Sequence, residues 1–262
     1  MRLLLLFGLL PALWAQLPAP GDSGVTMGHI HLLVRDIGAQ QKFWTEVVGA
    51  KPYQLGRLRG VEVPGAIILF QQGTPSGGSV GSAMNHIGFL IKDLDAALER
   101  AKSFGSTIQS VSPAGPTRPL RQAMLFAPDE IRVELSEDKN LPTPVANHHL
   151  HWMTSDLEAT RGWYVKLFGA KPGKRGQFEA ADLPGVNLSF TPSDTAQAPT
   201  RGRAIDHVGF EVVNLKAFVE KLQAQGVKFD VAYKKLDDLG LKVAFLTDGS
   251  GTYLELTEGL RK

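Results

Sequence analysis

From Gly28 the chain alternates, with Ile30, Leu32 and Val34 apolar on one phase and His29, His31 and Leu33 on the other. Such alternation predicts a strand with two distinct faces. Asp36 then stands as a helix cap, and Ile37, Phe43, Trp44, Val47 and Val48 keep helical spacing until Gly49, a residue suited to a left-handed helix terminus. The same frame returns at Asn85–Asp93, His148–Asp156 and Asp206–Asn214, and in each copy a histidine precedes an Asp or Asn by seven residues. All seven histidines of the chain lie in these four stretches. Cap and glycine recur as Asp36 and Gly49, Asp93 and Gly105, Asp156 and Gly169, Asn214 and Gly226. Strand-type stretches with turn residues follow each helix, at 66–70, 124–135, 186–190 and 243–256. Each unit therefore reads as one strand, one helix and about three more strands, an α+β pattern of βαβββ modules.

A longer repeat overlies the short one. His29 and His149, like Asp36 and Asp156, are 120 positions apart, while His86 and His207, like Glu134 and Glu255, are 121 apart. Gly49-Ala50-Lys51-Pro52 returns as Gly169-Ala170-Lys171-Pro172. The chain is a doubled pair of units. Residues 27–138 are expected to form one two-module domain and 147–259 a second, after a leader at 17–26 and joined by a linker at 139–146 where Pro142 and Pro144 interrupt any element.

The chemistry lies on the strand faces. Ile30, Leu32 and Val34 suit the covering helix, which leaves His29 and His31 for a concave interior. The same phase sets Glu134 beside Arg132 and Glu255 beside Tyr253, so carboxylates on the closing strands can meet imidazoles on the opening ones. His148, opposite in phase to His149, is expected outside the hollow. Gly88 and Gly209, at the places of His31 and His151, either open room for a ligand or allow close packing. Trp44, Trp163 and Tyr164 read as core.

With Ala127-Pro128-Asp129-Glu130-Ile131-Arg132-Val133-Glu134-Leu135 and Thr247-Asp248-Gly249-Ser250-Gly251-Thr252-Tyr253-Leu254-Glu255-Leu256 closing the even units, the pattern resembles the vicinal oxygen chelate superfamily. That superfamily includes glyoxalase I, bleomycin-resistance proteins, fosfomycin-resistance transferases and extradiol dioxygenases. The resemblance implies paired βαβββ modules whose curved sheets form cups around a divalent metal. It places metal ligands on His29, His86 and Glu134 in one half and on His149, His207 and Glu255 in the other. Two imidazoles and a carboxylate leave coordination positions open, which suits Fe(II), Mn(II) or Zn(II), in one or two sites. By strand phase His31 and His151 face the same hollow, as catalytic proton-transfer groups or as outer-sphere and packing partners. Arg132 and Tyr253, on the face of their glutamates, are candidates to bind an anionic or phenolic substrate or are solvated at a strand edge. The further carboxylate that serves glyoxalase I falls here on Leu69 and Ser189, so a three-ligand site is closer to the dioxygenase and fosfomycin-transferase branches. The expected activity is that of a metal-dependent lyase, isomerase or extradiol-type dioxygenase on a small substrate chelated through neighbouring oxygens. The alternative is a small-molecule binding or resistance protein without catalysis.

Composition narrows the partners. Lys and Arg number 28 against 26 Asp and Glu, so no charge excess draws the 262-residue chain to nucleic acid. The absence of cysteine excludes disulfides and thiolate ligands. Met1-Arg2, the apolar stretch 3–10 and the segment to Gln16 read as a signal peptide of residues 1–16, predicting export to a periplasmic or secreted location without a stable membrane span. A monomer or homodimer is expected.

Overall fold

The computed structural model describes residues 17–261; the signal-peptide reading of 1–16 lies outside them. The first unit consists of β1 (Val25–Val34), α1 (Ile37–Lys42) running on into a π-helical turn (Phe43–Val48), β2 (Lys51–Leu55), β3 (Leu58–Val63) and β4 (Ala66–Gln72). The second comprises β5 (Met84–Ile91), α2 (Leu94–Phe104), β6 (Ile108–Ser112), β7 (Gln122–Ala127) and β8 (Ile131–Glu137). The third has β9 (Val145–Thr154), α3 (Leu157–Phe168), β10 (Lys171–Arg175), β11 (Phe178–Leu183) and β12 (Val186–Pro192). The fourth has β13 (Ile205–Val212), α4 (Leu215–Ala224), β14 (Val231–Leu236), β15 (Leu241–Thr247) and β16 (Tyr253–Glu258).

The helix boundaries follow from local chemistry. Asp36, Asp93, Asp156 and Asn214 each accept a hydrogen bond from the backbone N–H three residues on, satisfying a donor that the first helical turn leaves free. Gly49, Gly105 and Gly169 terminate the first three helices at positive φ of 90°, 87° and 71°.

The strands form two eight-stranded sheets, and the two units of one half of the chain do not share a sheet. One sheet runs β14-β15-β16-β13-β1-β4-β3-β2 and the other β10-β11-β12-β9-β5-β8-β7-β6. Unit one is thus joined to unit four through antiparallel β1 and β13, and unit two to unit three through β5 and β9. Units of the same half meet instead through their helical sides. Trp44 packs edge-on to Phe89 at 5.4 Å and Phe43 to Phe104 at 5.6 Å, while Phe168 meets both Phe210 and Phe218. Arg35 and Gln40 of unit one also donate to Asp129 of unit two.

The helix-facing phases, Ile30, Leu32 and Val34, Ile87 and Phe89, Leu150 and Trp152, Val208 and Phe210, are buried in one continuous apolar core between the sheets. Burial of these side chains is the main stabilising term, about 1.5–3 kcal/mol for each large one. The opposite faces curve into two cups, and the histidines stand on those faces.

Candidate functional site

The exchange of partners between halves regroups the candidate ligands. The sequence reading set His29 with His86 and Glu134, and His149 with His207 and Glu255. In the structure His29 joins His207 and Glu255 in the first cup, and His149 joins His86 and Glu134 in the second. Each cup keeps two opening-strand imidazoles and one closing-strand carboxylate, because β1 and β9 offer equivalent edges and the sheets use them crosswise.

In the first cup Glu255 Oε2 accepts from His29 Nε2 at 2.9 Å and from His207 Nε2 at 3.0 Å. His31 stands beside them, its ring centroid 4.5 Å from that of His207. Donor atoms of His29, His31, His207 and Glu255 all lie within 4.8 Å of one another. Asp206 Oδ1 accepts from His207 Nδ1 at 2.6 Å. Burial acts to lower the His207 pKa, but its bonds to Asp206 and Glu255 outweigh that and raise it to about 9. Burial likewise opposes ionisation of Glu255, yet the neighbouring His29 and His207 hold it well below the usual carboxylate range. His31 is pushed down to about 3 by burial and by the adjacent His207 and His29. Nδ1 of His29 and Nδ1 of His31 are buried without a hydrogen-bond partner.

In the second cup His86 Nε2 lies 3.4 Å and His149 Nε2 3.7 Å from Glu134 Oε2, and the two imidazole nitrogens are 3.3 Å apart. His86 Nδ1 lies 3.0 Å from Asn85 Oδ1, within hydrogen-bonding distance. Burial is the leading cause that lowers His86, His149 and His151, so all three imidazoles are neutral near pH 7. Burial would raise Glu134, but His86, Arg175 and Ser136 bring it down to about 2.

Arg175, which the sequence reading missed, enters this cup from the end of β10. Its guanidinium lies 3.4 Å from Glu134 Oε1, donates to Ser189 Oγ at 2.8 Å and reaches His151 Nδ1 at 3.2 Å. With Nε2 of His151 on Thr191 Oγ1 at 2.8 Å, both nitrogens of that imidazole are engaged. The signal was available in the repeat, since the residue 120 positions before Arg175 is Leu55. Asp206 and Asn85, the direct neighbours of two candidate ligands, were also missed.

The remaining candidates separate by cup. Tyr253 lines the first, stacked on Phe245 at 5.4 Å with the Arg201 guanidinium over its ring; Arg132 lines the second, donating to Asn85 and Gln109. His148 does not lie outside the hollow. Gly88 pairs with His149 and Phe89 with Asn147, so His148 is the extra residue of a β-bulge. The bulge breaks the alternation, and His148 lines the second cup with its Nδ1 3.1 Å from that of His149. Gly28 occupies the matching bulge in β1, between the pairs Met27–Phe210 and His29–Gly209. Gly88 and Gly209 serve close packing: a Cβ would sit 1.9 Å from the His149 ring at Gly88 and 2.0 Å from the His29 ring at Gly209.

The donor sets suit a divalent cation. Buried imidazoles and an ionised carboxylate converge within coordination reach in each cup. Leu69 and Ser189 supply no further carboxylate.

Comparison with known proteins bears on the whole arrangement. Glyoxalase I from Zea mays superposes with a TM-score of 0.69 at 19% identity, covering 89% of this chain and 92% of that one. A mutant of the same enzyme gives 0.70 at 18% identity over 90% and 94%. A putative dioxygenase from Bacillus subtilis subsp. subtilis str. 168 gives 0.67 at 12% identity over 93% and 86%. These likenesses establish a common fold. No curated protein matches the chain. The family model described as the glyoxalase/bleomycin resistance protein/dioxygenase superfamily matches residues 26–135 and again 147–256, and the chain belongs to that superfamily.

Proposed function

We propose that the protein is a divalent-metal-dependent enzyme acting on a small substrate that binds through neighbouring oxygens. The observation that carries this reading is the first-cup cluster of His29, His31, His207 and Glu255. His29, His207 and Glu255 would hold the ion, Fe(II), Mn(II) or Zn(II), and Asp206 would orient His207 and raise its basicity as the outer partner of a carboxylate–imidazole–metal chain. When bound, the ion supplies Lewis-acid stabilisation of negative charge developing on the substrate oxygens. His31, neutral and buried with an unpartnered Nδ1, is placed to accept or return a proton at that atom. Tyr253 and Phe245 offer an aromatic wall for a ring or alkyl substituent. In the second cup His86, His149 and Glu134 would form a three-ligand site. Its affinity would be lower, because the Arg175 guanidinium already neutralises the ligand carboxylate. His151, tied to Arg175 and Thr191, has less freedom for proton transfer than His31.

The basic and apolar start of the chain supports export as part of this reading. Among the described residues no helix is long and apolar enough to cross a membrane. The test is metal content after anaerobic purification and reconstitution, followed by turnover assays on catechols, hydroxy-ketones and epoxides. Bound divalent metal that is lost in His207→Ala together with turnover supports the proposal; a protein that retains no divalent ion overturns it.

A further inference from the structure

The second cup carries a cationic arrangement that its metal-ligand geometry does not require. Three arginines, Arg118, Arg132 and Arg175, line one hollow of about 280 Å³ together with Ser110, Ser112 and Gln177. Among the described residues Glu134 is the one carboxylate on its wall, and Arg175 already faces it. Burial disfavours the charge on Arg175, yet the contact with Glu134 and the bond to Ser189 hold the guanidinium in place. Two of its five N–H groups have no acceptor in those contacts. Arg132 is fixed through Nε on Gln109 and one Nη1 proton on Asn85, leaving its Nη2 protons free of those bonds. Arg118 sits in the β6–β7 connection that closes over the cup.

The matching positions of the first cup are different in kind. Its hollow, about 370 Å³, is walled largely by leucines, among them Leu58, Leu69, Leu239 and Leu241. Its two arginines are already engaged, Arg57 with Asp238 and Arg201 over the Tyr253 ring, and they are matched by two carboxylates, Asp206 and Glu255. Leu239, from the connection between β14 and β15, covers it where Arg118 covers the other, packing against Gly56.

We propose that the second cup is a binding site for the oxyanion of a small molecule, a carboxylate or a phosphate, held by Arg175 and Arg132 and closed over by Arg118. Pre-positioned guanidinium groups in a partly dry hollow pair with such oxygens through charge-assisted, often bidentate hydrogen bonds. Two positive charges in excess of the single carboxylate leave the hollow electrostatically unsatisfied until an anion enters. None of the three arginines is a candidate metal ligand, although Arg175 contacts Glu134, and the proposal stands whether or not a metal occupies the first cup.

The test is calorimetric titration of the full-length, chelator-treated protein with inorganic phosphate and, separately, with malonate. Saturable binding of one anion per chain is expected, and the better-bound probe identifies the oxyanion chemistry. Arg175→Leu, which installs the residue type of the matching position Leu55, is expected to weaken binding about 10- to 100-fold. Arg118→Ala, in the covering connection, tests the same site without disturbing the buried network and is expected to weaken it less. The ring resonances of His151 should move on anion addition while those of His31 stay. Absence of saturable binding of both probes, equal binding by wild type and both variants, or a response at His31 in place of His151 overturns the proposal. Metal content of the reconstituted first cup reads out separately, so its failure leaves this result interpretable.

Discussion

The two cups share a backbone and a set of donors but differ in what surrounds them. Asp206 backs His207, whereas its counterpart Asn85 backs His86. Leu55 stands where Arg175 occupies the other cup, and Tyr253 where Arg132 does. In the first cup the carboxylate is balanced by a protonated imidazole, which a cation can replace; in the second it is balanced by a guanidinium, which stays. Duplication preserved the geometry that brings imidazoles to a carboxylate, and divergence acted on the residues that decide which charge completes it.

The sharpest way to break this comparison is to remove one carboxylate at a time. Glu255→Gln should cost the first cup more than about 100-fold in metal affinity, exceeding the loss typical of an outer-shell partner, and leave the second cup intact. Glu134→Gln should spare the tighter site. Competition titration against a chromogenic chelator checks both, and equal losses in the two variants would erase the distinction between the cups. Next, Gly209→Ala and Gly88→Ala should each destabilise the metal-free fold by about 1–3 kcal/mol, because the added methyl displaces an imidazole against packed strands. Thermal unfolding should show similar losses, since here the cups are alike.

Asp206→Asn gives the first cup the outer partner of the second, and should lower its metal affinity about 10-fold in the same titration. A pH dependence of the metal-free protein separates the histidines by the sign of their shifts. His207, raised to about 9 from 6.5, contributes stability that is complete below pH 6.5 and is lost as pH rises to about 9. His31, lowered to about 3, with His86, His149 and His151 also lowered, contributes in the opposite sense: stability falls as pH drops below 6.5. The melting temperature should peak near pH 6.5, the ordinary value from which these groups depart, and Asp206→Asn should flatten the alkaline limb alone. An unchanged alkaline limb would remove His207 as its source.

Much of this architecture was legible in the chain. The seven-residue spacing from histidine to cap marked strand and helix in all four units, and the apolar phase at Ile30, Leu32 and Val34 told which face meets the helices. The identity of the pairing partners was not legible. The opening strands carry the same alternation, so nothing along β1 distinguishes β5 from β13 as its neighbour. That choice rests on contacts between helical sides, such as Trp44 with Phe89, and on the connections between units. His148 was misplaced because strict alternation assumes an unbroken ladder, and a bulge adds a residue that the pattern does not announce. Arg175 could have been found by comparing the halves position by position, where one half has a leucine and the other an arginine at the mouth of a proposed site.

Because β5 hydrogen-bonds to β9 and β1 to β13, the first half of the polypeptide closes neither hollow by itself. One waits for the third unit, and the other for the last, whose strands must fold back across nearly the full length of the molecule. Such distant closures are slow to nucleate. A fragment cut at the proline-bearing joint would present two bare strand edges, and two such fragments would have the surfaces needed to reassemble as a non-covalent pair.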